Sequence, residues 1–187
     1  MNRFLFRRNN FDDCGILRLF RDGDPAAPRI LYEKYSALLY AVCLRYVSME
    51  MDAEDVLQDS FMTIFDRIGS FEDRGKGSLK AWMIRIVVNL SLKHLRNSSH
   101  FVFEDVETAE IPYEPETESL GPELLVKFIR SLPDGYRAVF NMYVVEGMSH
   151  KEIAGILGIT ESTSASQLHR AKAMLARTIN KYWEEIR

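Results

Sequence analysis

An acidic segment that contains three prolines divides this sequence into two parts. Residues 101–130 carry 8 aspartate or glutamate residues against 2 lysine or arginine residues. Pro112, Pro115 and Pro122 interrupt the segment, and no apolar periodicity runs from Val102 to Pro122. A segment with so many like charges cannot bury enough apolar surface to order itself. We therefore predict a linker at residues 101–122, between an N-terminal domain at residues 1–100 and a C-terminal domain at residues 123–187.

Apolar residues on both sides of the linker follow the period of an α-helix. One clear stripe, spaced by three or four residues, consists of Leu31, Tyr35, Leu38, Val42 and Tyr46. Further stripes predict helices at residues 79–96, 123–131 and 134–145, and Asp24 and Asp52 stand where helix N-caps are expected. Because no segment alternates with a period of two, we expect no sheet. The predicted fold class is all-α, with two small helical domains.

The composition excludes several classes of protein. No stretch approaches the roughly 20 apolar residues that span a bilayer, and the first apolar run is too short for a signal peptide. We therefore expect a cytoplasmic protein without membrane insertion. Cys14 and Cys43 lie in predicted helices, where we expect small, buried and reduced side chains. The sequence shows no zinc spacing, nucleophile–base pair or phosphate loop, so we expect no metal, no cofactor and no enzyme.

The formal net charge of −3 conceals a segregation of charge along the chain. Residues 1–100 sum to +2, residues 101–130 to −6 and residues 131–187 to +1. Residues 74–96 contain six basic residues and no acidic one. Residues 162–182 contain four basic residues and no acidic one. Two basic patches in an acidic protein suggest two contacts with one polyanion. Solvated helix faces are the alternative, and charge alone does not decide.

The C-terminal part contains a helix-turn-helix pattern. Ser149 and Glu152 form a capping box at the start of a short helix. Gly158 ends that helix within three turns, and Thr160 caps the next one. The first turns of this second helix direct polar and small residues outward, where a recognition helix meets DNA: Ser162, Thr163, Ala165, Ser166, His169 and Arg170. A plain helical hairpin is the alternative interpretation.

The predicted helix at residues 79–96 is apolar around most of its circumference, except for a narrow polar stripe. Arg85, Asn89 and Arg96 align along this stripe, and Trp82 and Lys93 lie at its side. Cations, an amide and an aromatic ring can together bind a phosphate chain and an unstacked base. For Trp82, packing in the core is the alternative interpretation.

The preceding helix has an acidic face, formed by Glu54, Asp55, Gln58 and Asp59. This face would repel DNA, so it is either solvated or in contact with a basic protein surface. Spacing does not decide between the two.

Taken together, these residues resemble a known family, the extracytoplasmic-function group of sigma-70-like factors. The resemblance to region 2 rests on Ala53–Asp59, Phe71 and Trp82–Asn89. The resemblance to region 4 rests on Leu132–Pro133, Gly147–Ser149, Glu152–Ala154, Leu157–Ile159 and Leu168–Lys172. The two sets occur in the family's order on either side of the linker, and they cover residues from about 15 to 180.

The resemblance implies a transcription initiation factor that directs core RNA polymerase to promoters. The acidic face would dock on the polymerase clamp, and the helix-turn-helix would contact the polymerase flap. A flipped base of the −10 element would be captured near Asn89. The residues implied at the −10 element are Arg74, Lys76, Ser78, Lys80, Trp82, Arg85, Asn89, Lys93 and Arg96. The six outward residues of the recognition helix, with Gln167, would bind the −35 element. An anti-sigma protein, membrane-linked in many members, is a further expected partner.

The chain departs from the family in its recognition helix. Ser164, Ala165 and Gln167 stand where many members have a β-branched residue and alternating bases. Fewer cations predict a weaker, less salt-dependent −35 contact, and Ser164 places a hydroxyl on the buried side. Two other functions fit the residues without the family: a free-standing helix-turn-helix regulator, and a helical adaptor that binds only protein.

Overall fold

The computed structural model describes residues 11–97 and 120–186. These residues form eight α-helices and no strand, so the predicted all-α class is confirmed. Residues 101–119 of the predicted linker lie outside the described residues, and so do residues 1–10. The helices are α1 Asp13–Arg21, α2 Ala27–Tyr46, α3 Glu50–Arg67, α4 Ser78–Asn97, α5 Pro122–Arg130, α6 Asp134–Phe140, α7 His150–Leu157 and α8 Glu161–Ile186. A 3₁₀ turn, Ile68–Ser70, follows α3, and a π-helical turn, Asn141–Val145, continues α6.

Neither of the predicted N-caps Asp24 and Asp52 lies at the observed helix start. A carboxylate oxygen of Asp24 accepts from the Ala26 amide at 2.8 Å, so a turn precedes α2 and the helix begins at Ala27. The prediction that Asp52 caps α3 was wrong, because α3 begins two residues earlier. Asp52 lies instead in the first turn, where a negative charge interacts favourably with the helix dipole.

By their internal contacts the described residues separate into two compact units. Unit 1 comprises residues 11–43 and 54–90, and it contains α1, most of α2 and α3, and the first two thirds of α4. Its core is formed by apolar side chains that these helices bury against one another: Ile16, Leu31, Leu39, Phe61, Ile64, Leu79, Met83 and Val87. Burial of this apolar surface is what stabilises the unit.

Unit 2 comprises residues 44–53, 91–97 and 120–186. Its longest helix, α8, packs against α5, α6 and α7. One apolar cluster consists of Phe128, Ile129, Leu132, Ala171 and Leu175. Further buried side chains, among them Val139, Met142, Ile153 and Leu157, lie beneath the helix-turn-helix.

A buried arginine joins three segments of unit 2. Arg137 on α6 is 1% exposed, and its guanidinium donates to the carbonyl oxygens of Tyr46, Leu132 and Arg130 at distances from 2.8 to 3.1 Å. It also pairs with the Asp134 carboxylate. Tyr46 is the last residue of α2, so Arg137 satisfies one of the carbonyls that every helix leaves without an internal partner. Burial lowers the pKa of Arg137, and Asp134 opposes that shift.

The two cysteines differ in environment. Cys43 is fully buried, as predicted, and burial raises the pKa of its thiol to about 12. The same prediction was wrong for Cys14, which is exposed on α1. No helix in the described ranges is both long and apolar enough to cross a bilayer.

Candidate nucleic-acid interface

The loop that leads into α4 is organised by the carboxylate of Asp73. One oxygen accepts from the Ser78 hydroxyl at 2.8 Å and from the Gly75 amide at 3.0 Å. The other is 3.5 Å from the Cys14 thiol, which donates to it. Gly75 and Gly77 adopt φ values of +107° and +85°, which side chains with a Cβ rarely adopt. The Ser78 hydroxyl also accepts from the Arg74 amide at 3.2 Å, so the side chains of Asp73 and Ser78 together hold the loop in one turn.

A groove of about 500 Å³ opens between this loop and α4. The rings of Phe71 and Trp82 pack against each other in its lining, with 5.0 Å between their centroids and a tilt of 41°. Trp82 is half-buried, so its ring both packs on Phe71 and lines the groove. The lining residues are Ser70, Phe71, Glu72, Arg74, Ser78, Ala81, Trp82 and Arg85. Aromatic faces beside two guanidinium groups can hold an unstacked base and its phosphate.

The structure brings four of the residues predicted for −10 DNA into this groove: Arg74, Ser78, Trp82 and Arg85. Lys76, Lys80 and Asn89 are exposed but do not line the groove, with Asn89 one turn after Arg85 on α4, and Lys93 is exposed on the part of α4 that belongs to unit 2. Arg96 is exposed in unit 2, where its guanidinium lies 3.4 Å from the Ile156 carbonyl oxygen. Sequence reasoning missed Asp73. An aspartate two residues before a glycine is typical of a side chain that caps a turn, and that signal was present.

We expect Asp73→Ala to loosen the groove without unfolding the protein, because Asp73 is exposed and its bonds are local. Amide exchange at Gly75 should become several-fold faster. The hydrogen bonds from Ser78 and Gly75 hold the pKa of Asp73 below its ordinary value of 3.8. The wild-type loop should therefore keep its order above pH 3.8 and lose it only as the pH falls through the lowered pKa of Asp73. Glu72→Ala is the control, because this neighbouring carboxylate makes one exposed ion pair, 3.7 Å from Arg74. Equal exchange rates in both variants would contradict the role given to Asp73.

The acidic face predicted on α3 is present. Glu54, Asp55, Gln58 and Asp59 are all exposed, while Val56, Phe61 and Ile64 face the core. Beside this face, α2 and α3 form a second groove of about 650 Å³ whose lining includes Tyr32, Glu54, Gln58, Phe61 and Met62. Tyr32 and Met62 are exposed large apolar side chains, and the Tyr32 and Phe61 rings are 4.7 Å apart. Acidic groups beside exposed apolar ones form a surface that suits a basic, amphipathic protein segment.

The helix-turn-helix has the local geometry that the sequence predicted. Ser149 accepts from the Glu152 amide while the Glu152 carboxylate accepts from the Ser149 amide, which completes the capping box. The bonds that the carboxylate accepts from the Ser149 amide and from the Ser149 hydroxyl lower the pKa of Glu152. Gly158 ends α7 at φ +70° and ψ 32°, and the Thr160 hydroxyl accepts from the Thr163 amide at the start of α8. The capping box therefore fixes the start of α7, Gly158 fixes its end, and Thr160 fixes the start of α8.

The exposed surface at the start of α8 is made of short side chains. Ser162, Ala165 and His169 are exposed, and Thr163, Ser166 and Arg170 are half-buried. The placement of Gln167 on this surface was wrong, since Gln167 is 1% exposed and lies on the buried side of α8. Ser164 is buried, as predicted, and its hydroxyl shares a hydrogen bond of 2.9 Å with Nδ1 of His150. The His150 ring also stacks on Tyr143 at 4.6 Å, a contact that the sequence did not indicate.

Comparison with known proteins agrees with both parts of this geometry. Residues 31–101 match Sigma-70 region 2, and residues 123–175 match Sigma-70, region 4. The sequence is 30% identical over 175 residues to the ECF RNA polymerase sigma-E factor of Salmonella typhimurium, covering 86% of this chain and 90% of that one. The chain belongs to the extracytoplasmic-function group of sigma-70 factors. The ECF RNA polymerase sigma-E factor of Haemophilus influenzae is 28% identical over 182 residues, covering 89% of this chain and 95% of that one.

A solved structure of the sigma factor RpoE from Bartonella quintana, in complex with the anti-sigma factor NepR, is also similar. It has a TM-score of 0.48 and 24% identity, covering 81% of this chain and 96% of that one.

Family membership makes this sigma factor a promoter-specific transcription initiation factor and not an enzyme. The region 2 match contains the acidic face of α3 and the groove beside Trp82. The region 4 match contains the helix-turn-helix and the short side chains at the start of α8. The family resemblance drawn from the sequence is thereby confirmed, and the free-standing regulator is not favoured.

Proposed function

We propose that this sigma factor binds the clamp of core RNA polymerase through the acidic face of α3 and binds promoter DNA through two separate surfaces. The observation that carries the proposal is the division of charge. The acidic face of α3 and the groove lined by Arg74 and Arg85 belong to the same compact unit but differ in sign. A face that repels DNA and a groove that attracts it suit a protein that connects polymerase to template.

The groove beside Trp82 supports a role at the −10 element. A base of the −10 element that leaves the duplex must regain, on the protein, the few kcal/mol that unstacking costs. Stacking on an aromatic ring is worth about 1–3 kcal/mol per base, and Arg74 and Arg85 are placed to attract the flanking phosphates. Asn89, one turn further along α4, offers an amide that can form hydrogen bonds with a base edge.

The start of α8 supports a role at the −35 element. Its N-terminus is capped and exposed, which is the geometry in which a recognition helix approaches base edges. His169 and Arg170 supply donors for bases or phosphates, and the exposed methyl of Ala165 suits a thymine methyl. The short side chains let the helix approach closely, while the low number of cations predicts a modest contribution to affinity.

The remaining assignments rest on the sequence and the family. We assign residues 1–100 to a region 2-like domain, residues 101–122 to a linker and residues 123–187 to a region 4-like domain that also contacts the polymerase flap. A cytoplasmic location and an anti-sigma partner follow from the family resemblance.

Run-off transcription tests the proposal. Core polymerase with this sigma factor should give a discrete, promoter-dependent product, and core polymerase alone should not. The purified factor should also elute with core polymerase in gel filtration. If the factor does not bind core polymerase, or if it footprints an operator tightly without polymerase, the proposal is wrong.

Replacing Trp82 with alanine should reduce promoter opening by about tenfold, since the stacking surface is worth about 1–3 kcal/mol. Permanganate reactivity of unpaired thymines in the −10 element measures this directly. Trp82→Phe is the control, because it keeps an aromatic face beside Phe71 and should retain most of the opening. If alanine and phenylalanine open the promoter equally well, Trp82 has only a packing role.

A further inference from the structure

The groove between α2 and α3 has the chemistry of a binding site for a short apolar segment. Its volume is about 650 Å³, and most of its lining side chains are aromatic or aliphatic. Two of them, Tyr32 and Met62, are 47% and 59% exposed. Exposed apolar side chains beside charged ones mark surfaces that bind a partner. Among the described residues that line the groove, Glu54 is the one charged side chain, so a basic partner is favoured over an acidic one.

The charge around the groove is negative and locally uncompensated. Glu54 lies in the lining, and Asp55 and Asp59 lie next to it on α3. All three carboxylates are exposed, and none of them forms an ion pair with another residue in the described part of the chain. A segment that fits this surface therefore has an apolar centre and cations beside it.

The first ten residues of the sequence have this composition. Residues 4–6 are apolar, and two of the three are phenylalanines. Arginines stand on both sides of them, and residues 1–10 include no acidic residue: Arg3, Arg7 and Arg8. Neither the DNA-binding surfaces nor the polymerase-binding surface proposed above uses this segment. Three cations around an apolar centre complement three carboxylates beside an apolar groove.

The attachment point of this segment lies on the helix that forms the groove. Nζ of Lys34 on α2 donates to the carbonyl oxygen of Phe11 at 2.9 Å. Because Tyr32 lies two residues before Lys34, this carbonyl is within about 15 Å of the Tyr32 backbone. Residues 4–10 can span about 23 Å when extended, which is enough for residues 4–6 to reach the groove.

We propose that residues 1–10 dock in the groove between α2 and α3 in the free sigma factor and hold back the binding of polymerase. Phe4 and Phe6 fill the groove, and the arginines contact the acidic face of α3. The regulatory part of this inference rests on the proposed function, in which the same acidic face binds the polymerase clamp. A docked segment covers that face, so polymerase binds only the fraction of molecules in which the segment has left the groove.

Replacing Phe4 and Phe6 with serine in the whole chain tests the docking without polymerase. An aromatic ring shifts the NMR signal of a methyl group that it contacts, so the methyl signal of Met62 should move in this double variant. An NOE from a ring proton of Phe4 or Phe6 to that methyl should be present in the wild type. Met51 is 70% exposed and does not line the groove, and its methyl signal should stay where it is.

The same double variant should bind core polymerase about two- to tenfold more tightly than the wild type. A short tether gives the segment an effective concentration of about 1 mM. If the contact itself has a Kd of about 0.1–1 mM, the segment is docked for about half to nine tenths of the time, and its removal raises the apparent affinity accordingly. Asn9→Ser with Asn10→Ser is the matched control, because it changes two residues of the same segment without removing a ring or a charge. It should keep both the Met62 signal and the affinity of the wild type.

The outcomes separate this inference from the proposed function. If the Met62 signal is the same in wild type and F4S/F6S, the inference is wrong, whatever polymerase does. It is also wrong if the signal depends on protein concentration, since a second copy of the chain then occupies the groove. If the signal moves but the affinity for core polymerase stays constant or falls, the segment does not hold back polymerase, and the inference is wrong. If the signal moves but no variant binds core polymerase, the docking is supported and the proposed function is wrong.

Discussion

Replacing Arg137 with methionine is expected to lower the free energy of unfolding of unit 2 by about 3–5 kcal/mol, the usual cost of removing one partner from a buried charged network. Methionine fills most of the volume but cannot donate. The carbonyl oxygens of Tyr46 and Leu132 would lose donors at 2.8 Å, and the Asp134 carboxylate would lose its partner. Each carbonyl left buried without a donor adds to the loss.

Urea unfolding measures this effect. In a Trp82→Phe background, Trp183 is the sole tryptophan, and its fluorescence follows unit 2. The control is Arg130→Met, the same change at an arginine that is partly exposed and bonds the Ser48 carbonyl oxygen at 3.0 Å. That variant should lose about 1 kcal/mol. Equal losses in the two variants would show that the contacts of Arg137 contribute little beyond those of an ordinary surface arginine.

The difference between these two arginines could not be predicted from the sequence. Arg137 lies 91 residues from Tyr46, and no local pattern marks it as buried rather than exposed. In contrast, the capping box at Ser149 and the turn at Gly158 depend on residues within five positions of one another. The helix-turn-helix was therefore predictable in detail, because its start and stop signals are local.

The same division applies to the candidate site. The acidic face of α3 follows from helical periodicity, and the structure has it as predicted. Gln167 was misplaced because the exposed side of α8 is made of short, weakly polar residues. The sequence pattern therefore does not show whether a polar residue at the border of the two sides is buried or exposed. The exposure of Cys14 was missed because its partner, Asp73, is 59 residues away. Contacts between distant segments, not local propensity, decided each of these cases.

Reversing the charge of Asp55 and Asp59 together should abolish run-off transcription. Both carboxylates are exposed on the same face of α3, four residues apart, so arginines at these positions should leave the fold intact. Two arginines facing a basic surface of the polymerase would weaken the binding free energy by several kcal/mol, because like charges repel. That change corresponds to a loss of about 100-fold or more in polymerase affinity. Gel filtration with core polymerase and run-off transcription should both report the loss.

The change in net charge distinguishes a loss of polymerase binding from a loss of DNA binding. Two carboxylates replaced by two guanidinium groups change the charge by +4, from −3 to +1. Weak binding of the free protein to DNA should therefore rise or stay constant while transcription is lost. Glu184→Arg with Glu185→Arg makes the same change at the exposed end of α8 and should still transcribe. If both double variants lose transcription equally, total charge explains the effect, and the acidic face of α3 is not the polymerase-binding surface.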